Sequence, residues 1–286
     1  MSEIVTVVTG ASSQIGYFLI PALLAGGGQV IAVSRQSIPG WFKQYKDNPQ
    51  LHWCNVDQLQ QLSFTGPVDL ISAGPLVLAG NLVRKLPVAG LVAMSSASVL
   101  FKQDSSDASE RRLIAGILQA EEDLTVWAKN NQKNLHILRP TLVYGCGLDK
   151  NLSRVAALVQ RFGFMPVAGQ AKGIRQPVHA EDISSLIVSL LAGETKGLHT
   201  WELAGGSRLT YAEMIEAVFM AQQKPVRLLR MPLWVLRLAS RLLPGINPQM
   251  INRQNHDLCV DDTAARKQLN WHPRSFSLSG RELSTP

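Results

Sequence analysis

The sequence opens with an apolar run that leads directly into a glycine turn, and this stretch constrains the fold more than any other. Residues 4–8 favour a β-strand, Gly10 and Gly16 enclose a small polar turn, and a helical pattern follows from Tyr17 to Leu24. An apolar run of this kind is typical of a parallel strand that is buried on both faces. Gly10 can adopt the backbone angles of a tight turn, and Gly16 allows the helix to pack closely. The sequence therefore predicts a strand–turn–helix unit whose helix N-terminus can face an anion.

The turn has the arrangement of a dinucleotide-binding fingerprint, with one departure. Ser13 and Gln14 stand where the full motif has its middle glycine, and their side chains restrict the approach of a pyrophosphate to the backbone. The Ser13 hydroxyl could bind the phosphate instead. We therefore predict that the turn binds a dinucleotide through Gly10, Ser12, Ser13, Gln14, Ile15 and Gly16.

The end of the second predicted strand, residues 29–33, bears on which dinucleotide binds. A carboxylate at this place binds the ribose 2′-hydroxyl of NAD, whereas an arginine accommodates the 2′-phosphate of NADP. Ser34 and Arg35 stand here, so the sequence favours NADP over NAD, the alternative being a solvated arginine. Further cofactor contacts are predicted from the ends of the third and fourth strands, namely Asn55, Ala73 and Gly74.

The composition limits the classes of partner. Of the 286 residues, 46% are hydrophobic and 17% are charged, which is typical of a globular protein, and the net charge is +7. No long basic run with interleaved aromatic residues is present, so we expect no nucleic acid partner and favour a small anionic ligand. Cys54, Cys146 and Cys259 have no metal-binding spacing and are typical of reduced thiols, so we expect a cytoplasmic protein without a metal site.

A serine cluster follows the fifth predicted strand, residues 90–94. Ligands of doubly wound sheets bind at the carboxyl ends of the strands, so Ser95 and Ser96 are predicted to bind substrate. The alternative is that these serines only cap a helix.

Several motifs, taken in order, resemble the extended short-chain dehydrogenase/reductases, that is, the NAD-dependent epimerase/dehydratase family. The matching stretches are residues 9–16, 94–99, 138–145, 175–183, 201–206, 209–213 and 262–273. The resemblance implies an α/β fold: a Rossmann-type doubly wound parallel sheet with a smaller C-terminal substrate lobe. Residues 1–145 would form the dinucleotide-binding domain, with further strands from about 174–205, and residues 146–286 would form most of the lobe. It also implies an NAD or NADP cofactor and a nucleotide-sugar substrate whose pyrophosphate binds Arg175, and it is compatible with a homodimer. The alternative for Arg175 is a surface ion pair.

The catalytic positions of that family depart from its pattern. The resemblance places Leu113 and Ile117 where the family has its tyrosine acid/base and the lysine that assists it, and neither side chain can transfer a proton. Ser96 matches the family's third catalytic position. Three interpretations remain: another acid/base in the preceding loop, proton transfer by solvent or substrate, or dinucleotide binding without chemistry in a sensor or assembly subunit. The loop candidates are Lys102, Asp104, Asp107 and Glu110.

Three further stretches carry expectations about structure. His179 is predicted to be buried and structural, with Asp182 capping a helix over 183–191. Thr210 and Glu213 form a capping box that begins a helix. Residues 232–244 form a basic, amphipathic, tryptophan-containing pattern, which we expect to pack on its own domain, with peripheral membrane contact as the less favoured alternative.

Overall fold

A computed structural model describes residues 4–193, 195–236 and 248–286. The strands are β1 Val5–Thr9, β2 Gln29–Val33, β3 Leu51–Cys54, β4 Val68–Ser72, β5 Val88–Met94, β6 Asn134–Pro140, β7 Val143–Tyr144, β8 Met165–Ala168, β9 Ile174–Arg175, β10 Val178–His179, β11 Leu198–Leu203, β12 Leu209–Thr210 and β13 Leu228–Met231. The α-helices are α1 Gln14–Ala25, α2 Val56–Gln61, α3 Leu76–Leu82, α4 Ser98–Phe101, α5 Ala108–Asn130, α6 Leu152–Phe162, α7 Ala180–Ala192, α8 Tyr211–Ala221, α9 Pro248–Arg253, α10 Thr263–Leu269 and α11 Gly280–Leu283, and a 3-10 helix spans Gly40–Tyr45.

The largest sheet has seven strands in the order β11-β6-β5-β4-β1-β2-β3, and every neighbouring pair is parallel. The chain proceeds outward from β1 in one direction through β2 and β3, and in the other through β4, β5 and β6. The strand order therefore reverses between β1 and β4, where doubly wound folds bind their ligands. The predicted Rossmann-type sheet is confirmed.

Apolar cores lie on both faces of this sheet. One face packs against α1 and α7, which are joined where the Ser184 hydroxyl donates to the carbonyl of Ile15 at 3.2 Å. The other face packs against α3 and α5 through side chains such as Leu82 and Leu124, both fully buried. The sequences of the central strands are therefore nearly continuous apolar runs, as expected for a sheet that is covered on both faces.

A third core lies in the C-terminal half. It joins α6 and α8 through the fully buried Val159 and Phe219, and the short parallel pair of β8 and β13 lies beside it. This unit corresponds to the lobe that the sequence predicts. Within the described residues, no helix is both long and apolar enough to cross a membrane.

Local details correct one of the sequence-based predictions and confirm another. His179, and not Asp182, caps α7, because its Nδ1 accepts from the N–H of Glu181 at 3.2 Å. Asp182 instead accepts from the backbone N–H and Nε of Arg274 at 2.9 and 2.7 Å. The predicted capping box of Thr210 is confirmed at the start of α8. The predicted amphipathic stretch 232–244 lies mostly outside the described residues.

Candidate functional site

The turn after β1 is held tightly against the end of β4. Gly10 has a φ of +69°, and a Cβ added to it would lie 2.6 Å from the carbonyl carbon of Ala73 and 2.7 Å from the nitrogen of Gly74. The N–H of Ala73 also donates to the carbonyl of Thr9 at 3.0 Å. Ala73 and Gly74 therefore form the base on which the Gly10 turn rests.

The N-terminus of α1 directly follows this turn. The Ser13 hydroxyl caps the helix by accepting from the N–H of Gly16 at 3.2 Å, so it is engaged within the turn. Gly16 has no room for a side chain, because a Cβ would lie 2.2 Å from the carbonyl oxygen of Ala11. The N–H groups of Gln14 and Ile15 belong to the first helical turn and have no intrahelical acceptor, which leaves them able to bind an anion.

A cavity of about 500 Å³ lies at the ends of β2 and β3, and we call it the β2–β3 cavity. Its wall includes Ser34 and Arg35, as predicted, together with Lys46 and Asn55. The Ser34 hydroxyl lies 3.0 Å from that of Ser12, which connects this cavity to the glycine turn. The lining residues in the described chain are Ser34, Arg35, Gln36, Ser37, Ile38, Lys46, Leu51, His52, Trp53, Cys54, Asn55 and Gln58, and they include no carboxylate.

Asn55, which lines this cavity, also has a structural role. Its side chain accepts from the N–H of Gln58 at 2.9 Å, and the Gln58 side chain accepts from the N–H of Asn55, so the pair forms a capping box at the start of α2. The third strand, which the sequence predicts over residues 52–57, therefore ends earlier, at Cys54, and α2 begins at Val56. The Asn55 amide group that remains available can still face a ligand in the cavity.

A second cavity of about 370 Å³ lies at the ends of β5 and β6, and we call it the β5–β6 cavity. It brings together Gln14 from α1, Ser95 and Ser96 after β5, and Arg175 from β9. Gln14 reaches across from the glycine turn and donates from its Nε2 to the carbonyl of Val143 at 3.3 Å. The two cavities therefore lie on either side of the turn between β1 and α1.

Ser95 belongs to a buried ionic group. Its hydroxyl donates to Glu121 of α5, and Glu121 also accepts from Arg139 of β6, whose Nε lies 3.0 Å from Oε1. Glu121 is only 5% exposed. The hydrogen bond to Glu121 holds the pKa of the Arg139 guanidinium above its usual value, against the effect of burial. Ser95 thus lines the β5–β6 cavity, but its hydroxyl donates its proton to Glu121.

Ser96 is more available than Ser95. Its hydroxyl donates to the Ser98 hydroxyl at 2.8 Å and accepts from the Ser98 N–H at 3.1 Å. Both partners lie within the same short turn, which forms part of the cavity wall. Because both hydroxyls can rotate, a bound polar group can replace the Ser96–Ser98 bond.

Arg175 is buried, with 5% of its surface exposed. Its Nη1 donates to the carbonyls of Ile174 and His256, both at 2.8 Å, and its Nη2 donates to the carbonyl of Arg253 at 2.6 Å. The alternative of a surface ion pair is therefore wrong. Arg175 lines the β5–β6 cavity, but its main observed contacts hold the segment after α9 in place.

Leu113 and Ile117, which the family resemblance aligns with a catalytic tyrosine and lysine, lie apart from the cavity wall. Leu113 is 64% exposed on α5. Ile117 packs against the core between α5 and the sheet. Neither residue is among those that line the β5–β6 cavity.

Of the loop candidates for proton transfer, Glu110 has the most perturbed acidity. Burial opposes its ionisation, but hydrogen bonds from Arg253, Ser105 and Lys102 outweigh that effect and lower its pKa to about 2. Nη1 of Arg253 lies 2.9 Å from Oε1 of Glu110. A carboxylate with so low a pKa is a weak base at neutral pH. Glu110 is therefore better suited to joining α5 and α9.

The other loop candidates divide into one on the cavity wall and two away from it. Lys102 lines the β5–β6 cavity, and its Nζ lies 3.0 Å from Oε1 of Glu110. Asp107 caps α5 by accepting from the N–H of Ser109 at 2.8 Å, and these bonds lower its pKa. Asp104 is exposed and does not line the cavity.

Sequence reasoning missed several residues of the β5–β6 cavity. Lys150 lies on the wall and is exposed, and Thr141 donates from its hydroxyl to the carbonyl of Gln176. Asp149 is buried and accepts from the N–H groups of Asn151 and Leu152 at 2.7 and 2.6 Å, which fixes the start of α6. A run Asp-Lys-Asn directly before an apolar helical pattern is a helix-start signal that could have identified Asp149.

No family model matches the chain. Among curated proteins, the chain is similar to UDP-glucose 4-epimerase from Vibrio cholerae, with 26% identity over 173 residues that cover 60% of this chain and 52% of the relative. It is also similar to NADH dehydrogenase [ubiquinone] 1 alpha subcomplex subunit 9, mitochondrial, from Arabidopsis thaliana, with 24% identity over 201 residues covering 62% and 49%. The chain thus spans about half the length of these curated relatives.

Solved structures extend the likeness to the whole chain at the level of fold. The crystal structure of UDP-glucuronic acid 4-epimerase from Bacillus cereus in complex with NAD has a TM-score of 0.73 at 15% identity, covering 99% of this chain and 97% of that one. Together with the seven-stranded parallel sheet, this match confirms the fold that the sequence motifs imply. The chain therefore has the Rossmann-type fold of the NAD-dependent epimerases and dehydratases that its motifs resemble.

Proposed function

We propose that this protein binds a nicotinamide dinucleotide, NADP in preference to NAD, and acts as an epimerase, dehydratase or reductase on a nucleotide-sugar-type substrate. The observation that carries the proposal is the arrangement of two cavities on either side of the Gly10 turn, at the point where the strand order reverses. A dinucleotide has two ends joined by a pyrophosphate, and this arrangement offers a place for each end, with the N-terminus of α1 between them.

The residues present fit such a cofactor. The Gln14 and Ile15 N–H groups would bind the pyrophosphate, and the β2–β3 cavity would hold the adenosine half. Arg35 and Lys46 on its wall, with no carboxylate among the described lining residues, favour the additional 2′-phosphate of NADP. Once bound, the nicotinamide supplies reversible hydride transfer.

The β5–β6 cavity supports an anionic substrate. Lys102, Lys150 and Arg175 contribute three cations to its wall against one carboxylate, Asp149, which is committed to the start of α6. Lys150 supplies an exposed ammonium group, and Ser96 supplies a rotatable hydroxyl. A phosphate-bearing sugar matches both the charge and the hydrogen-bonding groups of this cavity.

Lys102 is our candidate for proton transfer within this proposal. It is the loop candidate that lines the β5–β6 cavity, and Glu110 holds its Nζ in place. Ser96 would orient a substrate hydroxyl. Both roles replace the tyrosine and lysine of the family pattern, for which Leu113 and Ile117 provide no chemistry.

A second function has its own supporting observation. Leu113 is exposed and lies apart from the cavity wall, and Glu110 neutralises Lys102, so the cavity holds no group that is evidently prepared for acid/base catalysis. The alternative is a protein that binds NADP without chemistry and acts as a sensor or an assembly subunit. The similar Arabidopsis subunit carries the name of a component of a larger complex, which is compatible with this alternative.

Turnover distinguishes the two functions. We expect the purified protein to bind NADPH, and the protein loaded with NADP or NADPH to convert one member of a panel of UDP- and dTDP-sugars. Chromatography of the sugar and absorbance at the nicotinamide band together follow the conversion, because an epimerase or dehydratase returns the hydride to the sugar and leaves no net change in the cofactor. Ser96→Ala should lower kcat by about tenfold with an unchanged Kd for NADPH, since one hydrogen bond to the reacting substrate is lost. Ser63→Ala, in a loop distant from both cavities, serves as the control. NADPH binding without turnover on any member would establish the non-catalytic alternative.

Cofactor preference provides a separate test. Arg35→Ser is expected to weaken NADPH binding by about tenfold and to leave NADH binding nearly unchanged, because a charge-assisted hydrogen bond to phosphate is worth roughly 1.5 kcal/mol. Titration by fluorescence gives both dissociation constants. Lys43→Ser removes an exposed cation that does not line the β2–β3 cavity, and it should alter neither constant. An unchanged NADPH/NADH ratio in Arg35→Ser would refute the phosphate contact.

A further inference from the structure

The smaller lobe carries a group of exposed apolar side chains around β8 and β13. We call this group the lobe face and define it as Phe162, Phe164, Val226, Leu229, Leu233 and Trp234. Their exposed fractions are 51%, 38%, 46%, 47%, 38% and 69%, respectively. Isolated apolar residues on a surface are ordinary, whereas exposed apolar residues that lie together indicate an interaction site.

Phe162, Phe164 and Leu229 of the lobe face lie close together. The rings of Phe162 and Phe164 have centroids 6.1 Å apart. The N–H of Met165, directly after Phe164, donates to the carbonyl of Arg227 at 3.0 Å, and Leu229 lies opposite Pro166 in the β8–β13 pair. The end of α6 and the strand β13 therefore present their apolar side chains next to each other.

The two stretches of chain that carry the lobe face have side-chain charges of one sign. Neither residues 150–180 nor residues 217–256 contain a single aspartate or glutamate, and together these stretches contain eleven lysines and arginines. Arg227 and Arg230 are exposed on β13 or beside it, and the guanidinium carbon of Arg161 lies 5.1 Å from the centroid of the Phe162 ring. The apolar side chains thus lie among arginines without neighbouring acidic residues from these stretches.

We propose that the lobe face docks on an anionic lipid surface. Aromatic and aliphatic side chains would enter the boundary between headgroups and acyl chains, and Arg161, Arg227 and Arg230 would bind lipid phosphates. Tryptophan suits this boundary because its ring has an apolar body and one polar N–H, and Trp234 is the most exposed member of the face. The protein would therefore bind the lipid surface as a peripheral membrane protein, through side chains of a folded lobe.

A second copy of the chain is a poorer partner for the same face. A symmetric dimer brings the same patch of both subunits together, so the arginines around one patch would meet those around the other. Like charges placed opposite each other across an interface oppose association. An anionic bilayer removes this repulsion because it supplies the negative charge that the face lacks.

Sedimentation with vesicles tests the proposal on the full-length protein. We expect the protein to sediment with vesicles of phosphatidylcholine and phosphatidylglycerol at 50 mM NaCl, to release at 500 mM NaCl, and to remain in the supernatant with phosphatidylcholine alone. Arg227→Gln/Arg230→Gln should reduce binding at least tenfold, because each arginine near an anionic surface contributes appreciably. Phe162→Ser/Phe164→Ser should reduce binding at 50 mM NaCl, although it leaves the charge of the protein unchanged.

Matched controls separate the lobe face from general charge and apolarity. Arg84→Gln/Lys129→Gln removes two exposed cations next to α3 and on α5, and Val77→Ser removes a 63% exposed apolar side chain from α3. Both controls should bind as the wild type does. Failure to sediment with anionic vesicles at 50 mM NaCl, equal binding to neutral vesicles, or an equal loss in the charge control would each overturn the proposal. Self-association that Phe162→Ser/Phe164→Ser abolishes, without vesicle binding, would instead establish a protein–protein interface.

Discussion

Gly10→Ala is expected to lower the free energy of unfolding by about 3 kcal/mol and to abolish dinucleotide binding. The added Cβ would lie 2.6 Å from the Ala73 carbonyl carbon and oxygen, which are backbone atoms at the end of a central strand and cannot move aside readily. The left-handed φ of +69° adds a penalty of about 1 kcal/mol for any residue with a side chain. Relief of the clash requires the turn to move away from the sheet, and that movement displaces the N-terminus of α1.

Gly27→Ala is a matched control for this substitution. Gly27 has a similar φ of +79°, but an added Cβ would meet no atom within 4 Å. The control therefore has the backbone penalty of about 1 kcal/mol without the clash. Urea unfolding followed by circular dichroism measures both stabilities, and NADPH titration measures binding. Equal losses of stability in the two variants would show that the close contact with Ala73 contributes nothing.

Glu121→Ala is expected to lower the free energy of unfolding by about 3 kcal/mol, because it leaves the buried Arg139 guanidinium with only Glu202, whose Oε1 lies 3.9 Å from its Nη1. The side chains of Arg139 and Glu121 are only 17% and 6% exposed. Ser95 loses its acceptor in the same variant, and its hydroxyl then becomes available to a ligand in the β5–β6 cavity. A structural change beneath the cavity wall would thus alter substrate binding as well as stability.

Two further variants isolate the contribution of the ion pair. Glu122→Ala removes an exposed carboxylate from the adjacent position of α5 and should change stability by less than about 0.5 kcal/mol. Glu121→Met/Arg139→Met replaces both partners with apolar side chains and should recover most of the loss, since no buried charge remains. Chemical unfolding at pH 7 compares all three. A double variant no more stable than Glu121→Ala would point to packing of the side chains as the cause.

The central fold could be predicted from the sequence because its signals are local. The apolar run of β1, the glycine turn and the alternation of strands with helices each depend on neighbouring residues, and the family resemblance adds the order of the motifs. The prediction that Asp182 caps α7 is wrong: the cap is His179. Histidine is rarely an N-cap residue, whereas aspartate is among the residue types that usually are. Arg274, which engages Asp182 instead, lies 92 residues away in the chain.

The state of the candidate site residues could not be predicted, because it depends on distant partners. The sequence predicts that Ser95 binds substrate, and the family resemblance implies the same for Arg175. Both residues line the β5–β6 cavity, but their donors are committed to groups 26 and about 80 residues away. The buried carboxylate of Glu121, which accepts from both Ser95 and Arg139, could have been anticipated from the sequence. Arg139 is a charged residue within an apolar strand, and a buried charge requires a partner of opposite sign.

The guanidinium of Arg175 and the side chain of Gln176, which accepts from the N–H of Val260 at 2.9 Å, bind backbone groups of residues 253–260. Leu258 of that segment lines the β5–β6 cavity. The N-terminal part of a nascent chain leaves the ribosome first, so the glycine turn emerges from the exit tunnel long before this segment does. The glycine-turn side of the site can consequently form during translation, while the opposite wall waits for residues 253–260, which are synthesised more than 200 residues after the turn.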